Sequence, residues 1–316
     1  MKSGAARACA LFSQSLVSLT AALVATGVAC SSARADDDGV FLWPGNLLVS
    51  RVVYDNNSKN ITAGTTKLPP NCVGAACATA TASGTYPAVF NNVLVDPSFG
   101  ITSKIVLDQM TPDGFLISAL DVPNSSDRRI SPNADQMVSS FSSKSEVALN
   151  LSTDRDFVTF MGYLAPVNTI DVSNSNTPGV IDPTNPVSAT DYRVVAQVDR
   201  FGRFRFTKTN AYSGNNGRAA ILNDKRHGGL FYTAGNAGNG SNPQPDGIIV
   251  GAGTQIMSAA SAPLPAQDPG LPTPVGSFSI TQLGDKADKV GKDTNFRGLA
   301  AFDDVVYTSK GAAATA

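Results

Sequence analysis

Histidine and glutamate, which often carry acid–base catalysis, are scarce in this chain. His227 is the only histidine and Glu146 the only glutamate among 316 residues. A nucleophilic triad needs a base, usually histidine, and the K-R-H-G-G context of His227 favours an exposed turn. The chain contains no G-x-S-x-G, P-loop, dinucleotide-binding or H-E-x-x-H pattern. The sequence therefore identifies no catalytic residue.

Two groups of oxygen-bearing side chains could bind calcium, which takes carboxylate, amide and backbone oxygens as ligands. One group lies in a long Asn- and Pro-rich loop, and the other in a charged loop interleaved with lysines. Their members are Asp171, Asn174, Asn176 and Asp182 in the first loop and Asp285, Asp288 and Asp293 in the second. Neither group matches the EF-hand pattern. The alternative is that these side chains stabilise turns.

Two further loops, 213–217 and 235–247, are rich in asparagine, glycine and serine. Loops at one end of a β scaffold commonly hold binding residues. The candidate ligand-lining residues share a polar side chain and a place in or beside these loops. They are Tyr212, Asn215, Asn216, Tyr232, Asn236 and Asn239. The alternative is that both loops are ordinary solvated surface.

The composition predicts an all-β protein with few helices. Charged residues make up only 16% of the chain, well below the usual quarter or so. All but one of the 25 acidic residues are aspartate, which favours turns and caps, whereas glutamate favours helix interiors. Without residues 1–35 the chain has 21 basic and 25 acidic residues. This negative balance excludes the basic footprint of a nucleic-acid binder.

The N-terminus predicts export. Lys2 and Arg7 precede an apolar segment, 16–28, that is too short for a transmembrane span, and Ala33-Arg34-Ala35 supplies a cleavage signal. We expect cleavage after Ala35, a mature domain over 36–316, and a periplasmic or extracellular location. The alternative is a lipoprotein anchored at Cys30.

A disulfide is expected in the mature chain. Cys72 and Cys77 are its only cysteines, spaced C-x4-C, and an exported protein can keep a disulfide. A metal site would need further Cys or His ligands, and a redox site usually has C-x-x-C spacing. The expected bond shapes the loop that follows an N-terminal strand at 45–55, so that segment 36–95 forms a strand plus a pinned loop.

Repeated β-hairpins are predicted over residues 96–316. Residues 148–163 alternate apolar and polar positions on both sides of an Asp-containing turn, as a hairpin does. Three similar units surround the sequences LDQMTPDGFLISA, AILNDKRHGGLFYTA and LAAFDDVVYTS. A further hairpin at 192–210 places Phe204 and Phe206 on one face and Arg203 and Arg205 on the other.

The segment LSTDRDFVTF at 151–160 resembles the inner strand pair of TolB-like β-propeller blades. The resemblance implies a β-propeller-like fold of about four to five blades or part-blades and implies no reaction. The rival interpretation is a β-sandwich or irregular β-helix. Only one hairpin remains for the last unit, so we expect an incomplete ring, truncated at the C-terminus or closed by another chain, that could self-associate through an open sheet edge.

These observations predict an exported, propeller-like binding or interaction module that takes an unidentified ligand or protein at its loop face. One alternative is a Ca²⁺-dependent hydrolase or lactonase-like propeller enzyme. The other is a structural protein of the cell envelope.

Overall fold

The computed structural model describes a little under half of the chain, and all of the described residues lie in the second of two units, Ala35–Ala316. The described residues are 40–53, 65, 67–68, 78–79, 102–124, 137–140, 147–167, 169, 172–181, 189–223, 229–237, 253–258, 278–280, 296–303 and 305–310. Cys72, Cys77 and the expected cleavage site lie outside them.

The described chain is almost entirely β-strand, which confirms the all-β prediction. The strands are β1 (Leu47–Val53), β2 (Lys67–Leu68), β3 (Ala78–Thr79), β4 (Thr102–Met110), β5 (Leu116–Asp121), β6 (Ser139–Ser140), β7 (Asn150–Leu151), β8 (Phe157–Tyr163), β9 (Arg193–Asp199), β10 (Phe204–Thr209), β11 (Gly217–Leu222), β12 (Leu230–Gly235), β13 (Gly253–Ser258), β14 (Phe278–Ile280), β15 (Phe296–Phe302) and β16 (Val305–Lys310). In the described part, the helical structure is one 3-10 turn, Val172–Asn174.

The strands pair into four principal antiparallel sheets. Sheet 1 has the order β1-β4-β5, with β6 paired to the start of β4. Sheet 2 has the order β10-β9-β8-β7, and sheet 3 the order β11-β12-β13-β14. Sheet 4 is the β15-β16 hairpin, and β2 and β3 form a separate short pair. Sheets 2 and 3 are therefore four-stranded meanders in chain order.

The four sheets pack face to face. A sheet face that carries apolar side chains is stable only when it is buried against another element. Between sheets 1 and 2 lie Ile105, Leu107, Leu120, Phe160, Val194, Ala196 and Val198. Between sheets 2 and 3 lie Met161, Val195, Ala220, Leu222, Phe231 and Met257. Between sheets 3 and 4 lie Ala219, Ile221, Ala234, Phe296 and Leu299. Sheets 2 and 3 are thus covered on both faces.

The first and last sheets of this stack each have an exposed apolar outer face. On sheet 1, Leu47 pairs with Met110, which pairs with Leu116, and both leucines are exposed. On sheet 4, Phe302 pairs with Val305, and both are exposed. Exposed apolar side chains therefore lie on the outer faces of both sheets, beside the Arg51–Asp108 ion pair in sheet 1.

Local turn chemistry explains where the hairpins reverse. In the β7-β8 turn, the Ser152 hydroxyl lies 2.6 Å from Asp154 Oδ1, which also accepts a hydrogen bond from the Asp156 amide. The Ser152 Oγ accepts a bond from the Phe157 amide, and this amide–hydroxyl contact closes the turn. Asp154 therefore acts as a turn residue. In the β4-β5 turn, Gly114 has φ +89°, a conformation that favours glycine.

Candidate functional site

A completely buried arginine joins the Asn- and Pro-rich loop before β9 to the loop at 213–217. Arg193, 0% exposed, begins β9, and its guanidinium donates to the carbonyl oxygens of Ser173, Ser175, Asp191 and Asn215. These nitrogen–oxygen distances include 2.9 Å to Asp191 and 3.0 Å to Ser175. A guanidinium has five N–H donors in a fixed fork, so one side chain can hold several irregular backbone segments together.

Two groups flanking Arg193 complete this polar cluster. The guanidinium carbon lies 5.1 Å from the centre of the Tyr163 ring, a cation–π contact. Burial raises the pKa of the Asp191 carboxyl, while the positive charge of Arg193 and a hydrogen bond with Ser175 oppose the rise. Arg193 is bonded mainly to backbone carbonyls. These bonds fix the conformation of the loops and compensate the buried positive charge of the guanidinium.

The structure places the described calcium candidates beside this arginine cluster. Asn176 is buried, and its Oδ1 accepts a hydrogen bond from the Ser213 hydroxyl at 3.1 Å. Asn174 ends the 3-10 turn at 172–174. Asp171, Asp182, Asp285, Asp288 and Asp293 lie outside the described residues. Within the described residues, no three His, Cys, Asp or Glu side chains lie close enough to hold a metal ion.

The predicted ligand-lining residues of loop 213–217 are engaged in internal contacts. Asn215 Oδ1 accepts a bond from the Asn216 amide at 2.9 Å, and Asn216 Oδ1 accepts one from the Tyr163 hydroxyl at 2.7 Å. The Asn216 carbonyl accepts a bond from the Asn236 amide at 3.0 Å. These asparagines therefore join the loop to sheets 2 and 3.

The two predicted tyrosines lie in different environments. Tyr212 is fully buried with φ 61°, and its hydroxyl bonds to Thr233 Oγ1 at 2.6 Å and donates to the Gly253 carbonyl at 3.1 Å. Burial raises the Tyr212 pKa far above its ordinary value. Tyr232 lies on β12, and its hydroxyl accepts a bond from Asn223 Nδ2. Asn239 lies outside the described residues.

An open cleft lies on the face of sheet 2 that is turned towards sheet 3. Its volume is about 400 Å³, within the range of small-molecule sites. The lining residues come from the start of β8 and from the β9-β10 hairpin. They are Asp156, Phe157, Gln197, Asp199, Arg200, Phe201, Arg203, Phe204 and Arg205. We call this the β9-β10 cleft.

The charges of the cleft are only partly balanced. Arg200 forms an ion pair with Asp156, with 3.1 Å between nitrogen and oxygen. Asp199 Oδ1 accepts hydrogen bonds from the amides of Phe201 and Arg203 and so stabilises the turn. Among the described residues, neither the Arg203 nor the Arg205 guanidinium forms an ion pair with a carboxylate. Two exposed cations therefore remain at the wall of the cleft.

A row of aromatic rings begins at Phe201 in the wall of the cleft. The Arg203 guanidinium carbon lies 5.4 Å from the centre of the Phe201 ring. Phe201 contacts Phe41 edge to face, with 5.5 Å between ring centres, and Phe41 contacts Trp43 at 4.4 Å. Trp43 and Phe201 are 60% and 51% exposed. Large exposed aromatic side chains in contact with one another are typical of binding surfaces.

Tertiary contacts hold this aromatic row in place. The Leu42 amide donates to the Arg200 carbonyl at 2.7 Å, and the Trp43 amide donates to Gln109 Oε1 at 2.6 Å. Gly202 has φ +71°, and a Cβ there would lie 3.0 Å from the Val40 carbonyl oxygen. The segment before β1 is thus fastened to the β9-β10 turn.

The sequence predicted that the two arginines lie side by side, but it did not predict the cleft or the aromatic row beside them. The alternation of residues 203–206 predicts that Arg203 and Arg205 share a face opposite Phe204 and Phe206. Nothing local indicates that Trp43 lies near residue 201, because that contact depends on how sheet 1 packs against sheet 2.

Comparisons with protein family models, curated proteins and solved structures found no match for the chain. In the part of the chain that the structure describes, no helix is long and apolar enough to cross a membrane.

Proposed function

We propose that the protein is an exported, propeller-like binding module that holds an anionic ligand in the β9-β10 cleft. The observation that carries this proposal is the pair Arg203 and Arg205, two exposed guanidinium groups without an ion-pair partner among the described residues. They lie beside an exposed aromatic row. The cleft thus combines two cations, the Gln197 side-chain amide and aromatic rings, which are groups that bind and orient a ligand.

The arrangement of the sheets supports the propeller-like part of the proposal. Sheets 2 and 3 are four-stranded meanders, and each packs face to face on the next sheet along the chain. Propeller blades have the same strand order and pack through their faces. The exposed apolar faces of sheets 1 and 4 agree with an incomplete ring. Small-angle scattering that shows a closed, compact monomer with no open end would contradict the incomplete ring.

The binding proposal is tested with an array that carries neutral glycans, anionic glycans and acidic peptides. We expect the protein to bind anionic members and the double variant Arg203→Glu/Arg205→Glu to lose them. Lys208→Glu is the matched control, because it reverses a charge on the same strand but on the opposite face. Circular dichroism checks that all variants are folded. Unchanged binding by the double variant would refute the cleft as the site.

A further inference from the structure

We infer that the ligand of the β9-β10 cleft is a carboxylate-bearing oligosaccharide, an inference that rests on the proposed binding function. Arg203 and Arg205 would bind its carboxylates. The rings of Phe201, Phe41 and Trp43 would support its sugar rings.

The arginine geometry favours carboxylates. Arg203 immediately precedes β10, Arg205 is the second residue of that strand, and both line the cleft. Each planar guanidinium can bind a carboxylate through two parallel hydrogen bonds. The cleft's own carboxylates are already engaged, Asp156 with Arg200 and Asp199 with two backbone amides. The guanidinium groups of Arg203 and Arg205 can therefore bind a carboxylate of the ligand.

The aromatic row favours a chain of sugar rings over a small isolated anion. The contacts from Arg203 through Phe201 and Phe41 to Trp43 form a continuous series. The Arg203 guanidinium carbon lies 5.4 Å from the Phe201 ring centre, and successive ring centres are then 5.5 and 4.4 Å apart. The apolar C–H face of a sugar ring packs on an exposed aromatic ring, while its hydroxyl groups remain in water. A single small anion would contact the arginines and leave this surface unused.

The neighbouring strand edge disfavours an acidic peptide bound as an added strand. Among the described strands, β10 forms one edge of sheet 2, and it carries two charged side chains, Arg205 and Lys208. Charged residues on an edge strand discourage pairing with another strand. The cleft lies over the sheet face and is lined largely by side chains, so recognition there depends on side chains rather than on added backbone hydrogen bonds.

The test uses isothermal titration calorimetry of the purified protein with oligogalacturonate of four to six sugar units. The same oligomers with methyl-esterified carboxyl groups keep the rings and lose the charge. A glutamate decapeptide and a sulfated dextran supply charge in other chemical forms. Trp43 is the only tryptophan in the chain, so its fluorescence reports binding at the aromatic row independently.

We expect the protein to bind the free acid and to bind the methyl ester at least about tenfold more weakly. Arg205→Ala should weaken binding of the acid about tenfold, equivalent to the loss of one charged hydrogen-bonded pair. Arg205→Lys should recover part of the loss, because it keeps the charge but not the paired donors. Phe201→Ala should weaken binding of both acid and ester. Lys208→Ala, on the opposite face, should stay within twofold of the unmodified protein.

Arg205-dependent binding of the decapeptide or dextran without binding of oligogalacturonate would overturn this inference and spare the binding function. Equal binding of acid and ester would show that the carboxylates are not recognised and would overturn both. If Arg205→Ala and Lys208→Ala bind every probe as the unmodified protein does, or if no anionic probe binds, both the inference and the proposed function are wrong.

Discussion

Replacing Arg193 by methionine should destabilise the protein by about 3–5 kcal/mol. The guanidinium is fully buried, and its removal takes a donor from the carbonyls of Ser173, Asp191 and Asn215, while Ser175 keeps the Gly214 amide as a partner. Each buried carbonyl that loses its donor costs about 1–1.5 kcal/mol. Methionine has a similar length and leaves little cavity, so the three lost bonds make up most of the cost.

Urea unfolding followed by circular dichroism measures this change, and thermal unfolding gives a second estimate. For a domain of this size, about 4 kcal/mol corresponds to a Tm decrease of about 8–16 °C. Arg205→Met is the matched control, because the same substitution on the exposed cleft wall should change stability by less than about 0.5 kcal/mol. If Arg193→Met costs less than about 1 kcal/mol, the arginine does not hold the loops together as argued.

Three further predictions concern single side chains. Burial raises the folded-state pKa of Asp191, so its charge destabilises the fold, and stability should fall as pH rises from the ordinary value of 3.8 through the raised one. Asp191→Asn should raise Tm at pH 7 and weaken the dependence of Tm on pH in the acidic range. If the variant has the same Tm as the unmodified protein at every pH from 3 to 7, this prediction is wrong. Tyr212→Phe should cost about 1–2 kcal/mol in urea unfolding, because Thr233 and the Gly253 carbonyl lose a buried partner. Asp154→Ala should cost about 1 kcal/mol through loss of its two turn bonds, whereas Asp154→Asn, which keeps an acceptor oxygen, should cost less.

The strands and turns were largely predictable from the sequence. The hairpins around 107–119, 148–163, 192–210, 219–234 and 298–309 all form antiparallel pairs. Side-chain alternation also predicted which face of β10 carries the arginines. These features depend on neighbours within a few residues, where backbone sterics and turn chemistry decide the structure.

The role of the polar loops was not predictable in the same way. Asn, Ser and Gly in loop 213–217 suggest a solvated surface, yet Ser213 is buried and Asn216 bonds to Tyr163. The sequence contains the donors and acceptors but does not show that they satisfy one another. Calcium binding by Asp171, Asp182, Asp285 and Asp288 and ligand binding by Asn239 stay predictions, because these residues lie outside the described part of the chain.

The sequence by itself determined the all-β class, the positions of the turns and the face of the 192–210 hairpin that carries the arginines, because all three follow from local periodicity and turn formation. Only the tertiary structure decided that Arg193 is buried and that Trp43 reaches the β9-β10 turn. Both results depend on residues far apart in the chain. The packing of one sheet on the next brings those residues together, because each apolar face must find a partner.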